Sequence, residues 1–204
     1  MTMTLPEGLA PETYPLAWLV GTWRGFGELA YPGIDATLVL HDITFDHDGG
    51  PYLRQVWTIW STDPAGRAAL RNDATGAVNV EVGGAEGYGA LTPTQIWSTE
   101  TTYWRVLPGA APAPEGAGTD AIPASLELVS ADPAGHVGTW TGSVAGPRIE
   151  VSSQCVCATP QAAQVDSMRR FFGLVNSELM VVSYLAAFGN EESPYFSGRL
   201  ARVS

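Results

Sequence analysis

Few side chains in this sequence are equipped for chemistry, and their spacing narrows the choice further. Cys155 and Cys157 lie two apart, so on a strand they share one face. A disulfide between them would be strained. No second cluster of cysteine or histidine completes a zinc-like set, so both are expected to be structural thiols rather than metal ligands. The three histidines are dispersed. His47 falls in the turn Asp46-His47-Asp48-Gly49, and His136 follows Asp132-Pro133-Ala134-Gly135, so both are expected to face solvent. His41 lies beside Asp42 in a strand-like run and is expected to be a satisfied structural residue. No catalytic triad, phosphate loop or dinucleotide fingerprint occurs.

The sharpest local pattern is not a catalytic one. In Gly21-Thr22-Trp23-Arg24-Gly25-Phe26-Gly27, a strand's period of two puts Gly21, Trp23, Gly25 and Gly27 on one face. Three glycines on a face imply that something comes close to the backbone, either a crossing strand or a flat ligand. Trp23, the one large side chain among them, suits a plug for one end of a barrel. Seven tryptophans in all supply core filling and the lining of a cavity.

The elements that must position these residues are short strands. Runs near 21–30, 36–46, 52–61, 77–82, 95–107, 125–131, 136–143, 147–157, 163–173, 178–188 and 197–203 read as strands, with almost no helical period. The tetrapeptide Asp-Pro-Ala-Gly occurs at 63–66 and again at 132–135, and suits a type I turn. Asp48-Gly49-Gly50-Pro51 and Ala145-Gly146-Pro147 suit two more hairpins. Pro15 opens an apolar stretch, 15–20, that reads as a short helical turn packed under the barrel. The expected fold is all-β, a single up-and-down antiparallel barrel of about 8–10 strands. A lead over 1–14 precedes one domain over 15–204. The Pro-, Gly- and Ala-rich segment 108–123 is expected to be a mobile insertion between strands, with a lid as its functional alternative.

Composition excludes several classes of function. The net charge is −11, and all ten basic residues are arginine. Only Arg169 and Arg170 are adjacent, so no basic stripe exists for nucleic acid or an anionic membrane. The first residues lack the basic and apolar regions of a signal peptide, and no apolar run is long enough to span a membrane. A soluble cytoplasmic protein, monomeric or homodimeric, is expected.

The stretch 21–27, followed by Tyr31-Pro32-Gly33-Ile34, resembles the nitrobindin family, whose signature is GxWxGxG and then a Tyr-Pro-Thr-Ile-like segment. Gly50-Pro51-Tyr52-Leu53, Glu100-Thr101-Thr102-Tyr103-Trp104-Arg105 and Leu179-Met180-Val181-Val182-Ser183-Tyr184 extend the resemblance to about residues 15–203. It implies a barrel shaped like fatty-acid-binding proteins that holds ferric haem at one end and isomerises peroxynitrite to nitrate. Two departures qualify this. Gly33 stands where the family has threonine. Tyr195, in Tyr195-Phe196-Ser197-Gly198-Arg199-Leu200, stands where the family has the histidine that ligates haem iron, and no histidine follows His136.

The expectation is therefore a nitrobindin-like barrel without haem bound in the family mode, holding a small apolar ligand, and not an enzyme. Two alternatives remain open. In one, ferric haem is bound with Tyr195 or a displaced His41 as iron ligand; phenolate does ligate ferric haem in catalase. Arg199, four residues from Tyr195 on the same strand face, lies too far along the strand to assist the phenol. In the other, the barrel is a fatty-acid-type carrier with an interior arginine, for which Arg54, Arg105 and Arg148 are the candidates.

Overall fold

Alternation of apolar and polar side chains builds a closed barrel of ten strands. The computed structural model describes residues 5–71, 77–79, 81–118 and 121–204. The strands are β1 (Gly21–Tyr31), β2 (Ile34–Asp46), β3 (Leu53–Thr62), β4 (Pro93–Ala110), β5 (Ala124–Ala131), β6 (His136–Val144), β7 (Arg148–Ala158), β8 (Val165–Val175), β9 (Glu178–Ala187) and β10 (Ser193–Arg202). Each pairs antiparallel with its neighbours in sequence, and β1 closes the ring against β10. Along β5 the period is plain: Leu126, Leu128 and Ser130 are buried while Glu127, Val129 and Ala131 face out.

Tryptophans fill the middle of the barrel, and three buried indole N–H groups there find acceptors, whereas that of Trp18 in the plug has none. Trp104 donates to Gln55 Oε1 at 2.9 Å and Trp140 to Ser130 Oγ at 2.9 Å. Trp57 donates to His41 Nδ1 at 3.2 Å. Unpaired, these groups would cost free energy in the dry interior.

One end is plugged. A 3-10 segment, Pro11–Leu19, buries Leu16, Ala17, Trp18 and Leu19 beneath the strands. It starts earlier than the expected turn: Pro11 is in its first turn and Pro15 lies inside. Trp23 donates to the Leu19 carbonyl at 2.7 Å, and the Arg202 guanidinium covers its ring at 4.2 Å from the centroid. Gly25 and Gly27 face the backbone of β10. A Cβ on either would lie within 2 Å of the carbonyl oxygen of Arg199 or Ser197, so the close neighbour is the paired strand β10.

Residues 63–92 depart most from expectation. The first Asp-Pro-Ala-Gly turn opens an excursion instead of a hairpin, whereas the second does join β5 to β6. Of the strand expected over 77–82, residue 80 lies outside the described residues and Val78 makes only an isolated bridge to Arg71. The excursion carries a short helix, α1 (Gly84–Ala90), that packs outside β1. Gly87 sits on the Phe26 ring, where any Cβ would collide. Phe26, Leu38, Leu40, Leu70, Val82 and Leu91 form this outer apolar layer. Of the segment expected over 108–123, residues 108–110 are the end of β4 and 119–120 lie outside the described residues; the rest joins β4 to β5 at the plugged end. Residues 1–4 of the lead also lie outside them.

Candidate functional site

At the end opposite the plug, the core stops short and leaves a chamber of about 300 Å3. Tyr31 and Ile34 flank it on the β1–β2 turn, with Trp57, Ile59, Trp97, Glu100, His136, Met168, Arg170, Phe188, Tyr195 and Phe196 around them. Its size is at the lower limit of ordinary small-molecule pockets, roughly 300–1,000 Å3.

Two bulges aim the most informative pair. On β10 the register against β9 slips between Pro194 and Phe196, so Tyr195 is an extra residue and both Tyr195 and Phe196 turn into the barrel. On β4, Ser98 lies opposite Ile59 but Ile96 lies opposite Trp60, which leaves Trp97 extra. Bulges redirect side chains in this way. The two meet across the mouth: Trp97 Nε1 donates to Tyr195 Oη at 2.8 Å. The phenol's own hydrogen has no acceptor among the described residues. Tyr195 packs edge-on against Tyr31, ring centroids 5.8 Å apart. Burial raises its pKa, against smaller lowering effects of the Trp97 hydrogen bond and the Arg170 charge. Phe188 stands at the rim, 63% exposed and at φ +55°. That conformation is strained for a bulky side chain.

An ion pair forms part of the wall. Arg170 on β8 reaches Glu100 on β4 with two bonds, Nη1 to Oε1 at 2.5 Å and Nη2 to Oε2 at 2.9 Å. Thr102 Oγ1 adds a donor to Glu100 at 2.8 Å. The guanidinium lies 4.6 Å from the Trp140 ring centroid and 5.4 Å from that of Trp57. Its Nε is buried without a partner.

The histidines do not behave as expected. His136 is folded in at the chamber's edge, its side chain 12% exposed. Nδ1 lies 3.1 Å from Asp132 Oδ2 and Nε2 lies 2.8 Å from the Ala163 carbonyl, so neither nitrogen offers a lone pair to the chamber. His47 is partly buried, with Nδ1 enclosed. His41 is fully buried, and burial lowers its pKa to about 3. Nδ1 accepts from Trp57, while Nε2 points toward Gly198 and has no partner. His41 packs against Trp57 and Phe196, which line the chamber while His41 does not. Cys155 and Cys157 are exposed and not packed in the core.

The residues 21–27 and Tyr195 are not brought together. None of Gly21, Thr22, Trp23, Arg24, Gly25, Phe26 and Gly27 lines the chamber. Trp23 closes the far end, Arg24 pairs with Asp42 on the outside, and Phe26 packs under α1. Arg199 does not share a face with Tyr195, because the bulge intervenes; it pairs with Glu178 instead. Arg54 and Arg105 pair outside with Asp46 and Glu127, and Arg148 is exposed. The arginine inside the barrel is Arg170, which the sequence reading passed over. Period-two burial along β8 does not single it out, since only the closed barrel brings Glu100 opposite.

Among the described residues no helix is long and apolar enough to cross a membrane. Residues 12–202 match the family model described as the THAP4-like, heme-binding beta-barrel domain. A ferric nitrobindin-like protein of Beutenbergia cavernae is 39% identical, with all of both chains covered. A peroxynitrite isomerase of Renibacterium salmoninarum is 30% identical over all of this chain and 95% of that protein. The crystal structure of Rv2717c from M. tuberculosis has the same fold, with a TM-score of 0.66 at 23% identity, over 96% of this chain and 99% of that one.

Proposed function

The chain belongs to the family of THAP4-like, heme-binding β-barrel domains, and on that premise we propose that its chamber holds a small, neutral, largely apolar ring compound with one hydrogen-bond acceptor, in place of family-mode ferric haem. The observation that carries this reading is the state of Tyr195. Its oxygen already accepts from Trp97 and its proton is free to donate, so the chamber offers a neutral donor among aromatic walls. Among the described residues that line the chamber, a ligand carboxylate finds no free arginine, because Glu100 already meets the charge of Arg170.

Ferric haem is the group the family implies, and the chamber's donors do not fit it. His136 has both nitrogens turned to acceptors. His41 stands behind Trp57 and Phe196. Burial raises the Tyr195 pKa and so opposes the phenolate that an iron ligand must be. A fatty-acid-type carrier has less support, for the same Arg170–Glu100 pairing. The barrel then works as a binding protein rather than an enzyme, in the cytoplasm, as a monomer or homodimer. With a net charge of −11 and no lysine, neither nucleic acid nor membrane is among its partners.

A second reading has specific support. Relatives that span nearly all of this chain carry the name peroxynitrite isomerase. Under it, Tyr195 or another residue ligates haem and the chain is an enzyme. A haem spectrum dependent on Tyr195 is its signature.

Calorimetric titration with quinoline, which has one ring acceptor, and with naphthalene, which has none, tests the first reading. The ratio of the two affinities is expected to fall about tenfold in Tyr195→Phe, the worth of one hydrogen bond. An unchanged ratio, or no binding of either compound to the native protein at millimolar concentration, would sink it.

A further inference from the structure

The two cysteines stand outside the chamber's chemistry, and the strand that carries them is built to expose them. Along β7, Ile149 and Val151 are buried. On that period Ser153, Cys155 and Cys157 would continue into the barrel. The register with β6 slips first: Trp140 lies opposite Ser153, but Thr139 lies opposite Cys155, so Gln154 is an extra residue. Beyond this bulge the face is reversed. Cys155 and Cys157 share the outer face of their exposed partners Thr139 and Val137, and both thiols are exposed. On the other flank β8 pairs with β7 only as far as Ser152, opposite Arg169. Both thiols therefore lie beyond that ladder, on a strand end open on one side.

The two Sγ atoms are 3.5 Å apart. Closing a disulfide would require about 2.05 Å. Residues two apart on a strand also hold their Cα atoms roughly 6.6–6.8 Å from each other, at the far edge of disulfide reach. The separation is much nearer to the edge of a tetrahedron of sulfurs, about 3.8 Å for metal–sulfur bonds of about 2.3 Å.

We propose that Cys155 and Cys157 form a two-sulfur clamp on the barrel's outer wall for a single thiophilic d10 cation of the zinc and cadmium class. Binding forms two metal–sulfur bonds and releases both thiol protons to solvent, with no change of oxidation state. Among the described residues no group of three or more histidine, cysteine, aspartate and glutamate side chains gathers. Solvent or a small exogenous ligand therefore completes the coordination, and the clamp is an open site.

Titration of the reduced, full-length protein with Cd2+, followed by the ultraviolet thiolate-to-cadmium band, tests this. The expected result is saturation at one Cd2+ per chain, competition by Zn2+, and loss of about a hundredfold or more in affinity in either Cys155→Ser or Cys157→Ser, since each removes half of the protein ligands. Both positions are exposed, so neither variant threatens the fold. No band up to millimolar Cd2+, one ion shared by two chains, or affinity that survives either substitution would overturn the clamp.

Discussion

The two ends of the barrel are built on opposite principles. At the plugged end, Trp23 is buried, its N–H is bonded to Leu19 and its ring is covered by Arg202. Only β4–β5 slips register there. At the chamber end, β1–β2, β3–β4, β8–β9 and β9–β10 all slip, and β7 parts from β8. Regular ladders make the plug, and interrupted ones make the chamber. An interruption turns a side chain that would face solvent into the interior, which is how Tyr195 and Trp97 come to meet.

Removing the plug should break the contrast from the stable side. Trp23→Ala is expected to cost about 3–5 kcal/mol, as large aromatic truncations in packed cores do. Urea unfolding measures this, and a loss under about 1 kcal/mol would mean the plug is not a structural keystone. The chamber end contains one comparable hazard. Glu100→Leu leaves Arg170 buried without its partner and is expected to cost about 3 kcal/mol or more, whereas the pair Glu100→Leu with Arg170→Met should recover most of it. If the double variant is no better than the single one, the ion pair is not what the substitution disturbs.

Acid provides a third separation. His41 has a folded pKa of about 3, below its unfolded value near 6.5, so the unfolded chain binds the extra proton first. Its contribution is fully present above about pH 6.5 and is lost as pH falls toward 3, at a slope of up to about 1.4 kcal/mol per pH unit. Denaturation midpoints between pH 7 and 4 should therefore flatten in His41→Gln relative to the native chain. Parallel curves for the two proteins would refute this. The smallest effect on stability is expected at the chamber itself: Tyr195→Phe should cost no more than about 1 kcal/mol, because Trp97 is partly exposed and its N–H can turn to water. A much larger loss in thermal unfolding would make Tyr195 a core residue.

The plug could be read from the sequence and the chamber could not, for the same physical reason. Trp23 among alternating glycines announces its face, and the alternation along β5 announces a half-buried strand, because period two survives wherever ladders are regular. A bulge adds one residue without any signature. Counting by twos therefore puts Arg199 on the face of Tyr195, and it does not show that Cys155 and Cys157 lie on the outer wall. Trp97 and Tyr195 are 98 residues apart, and Glu100 and Arg170 are 70 apart. Only closure of the ring makes either pair. The helix α1 was invisible because Gly84-Ala85-Glu86-Gly87-Tyr88-Gly89-Ala90 has poor helix propensity. It forms against Phe26, where glycine permits the approach. The excursion that contains it reads in part as a strand, since Val78 and Val82 are apolar enough to suit either state.

Titration of the purified protein with ferric haem in the Soret region, beside Tyr195→Phe, bears most directly on a chamber whose phenol stays protonated. The expected result is no saturable shift at micromolar haem in either protein. A tight, saturable spectrum in the native chain that collapses in Tyr195→Phe would contradict it, and would make the chamber a phenolate-ligated haem site.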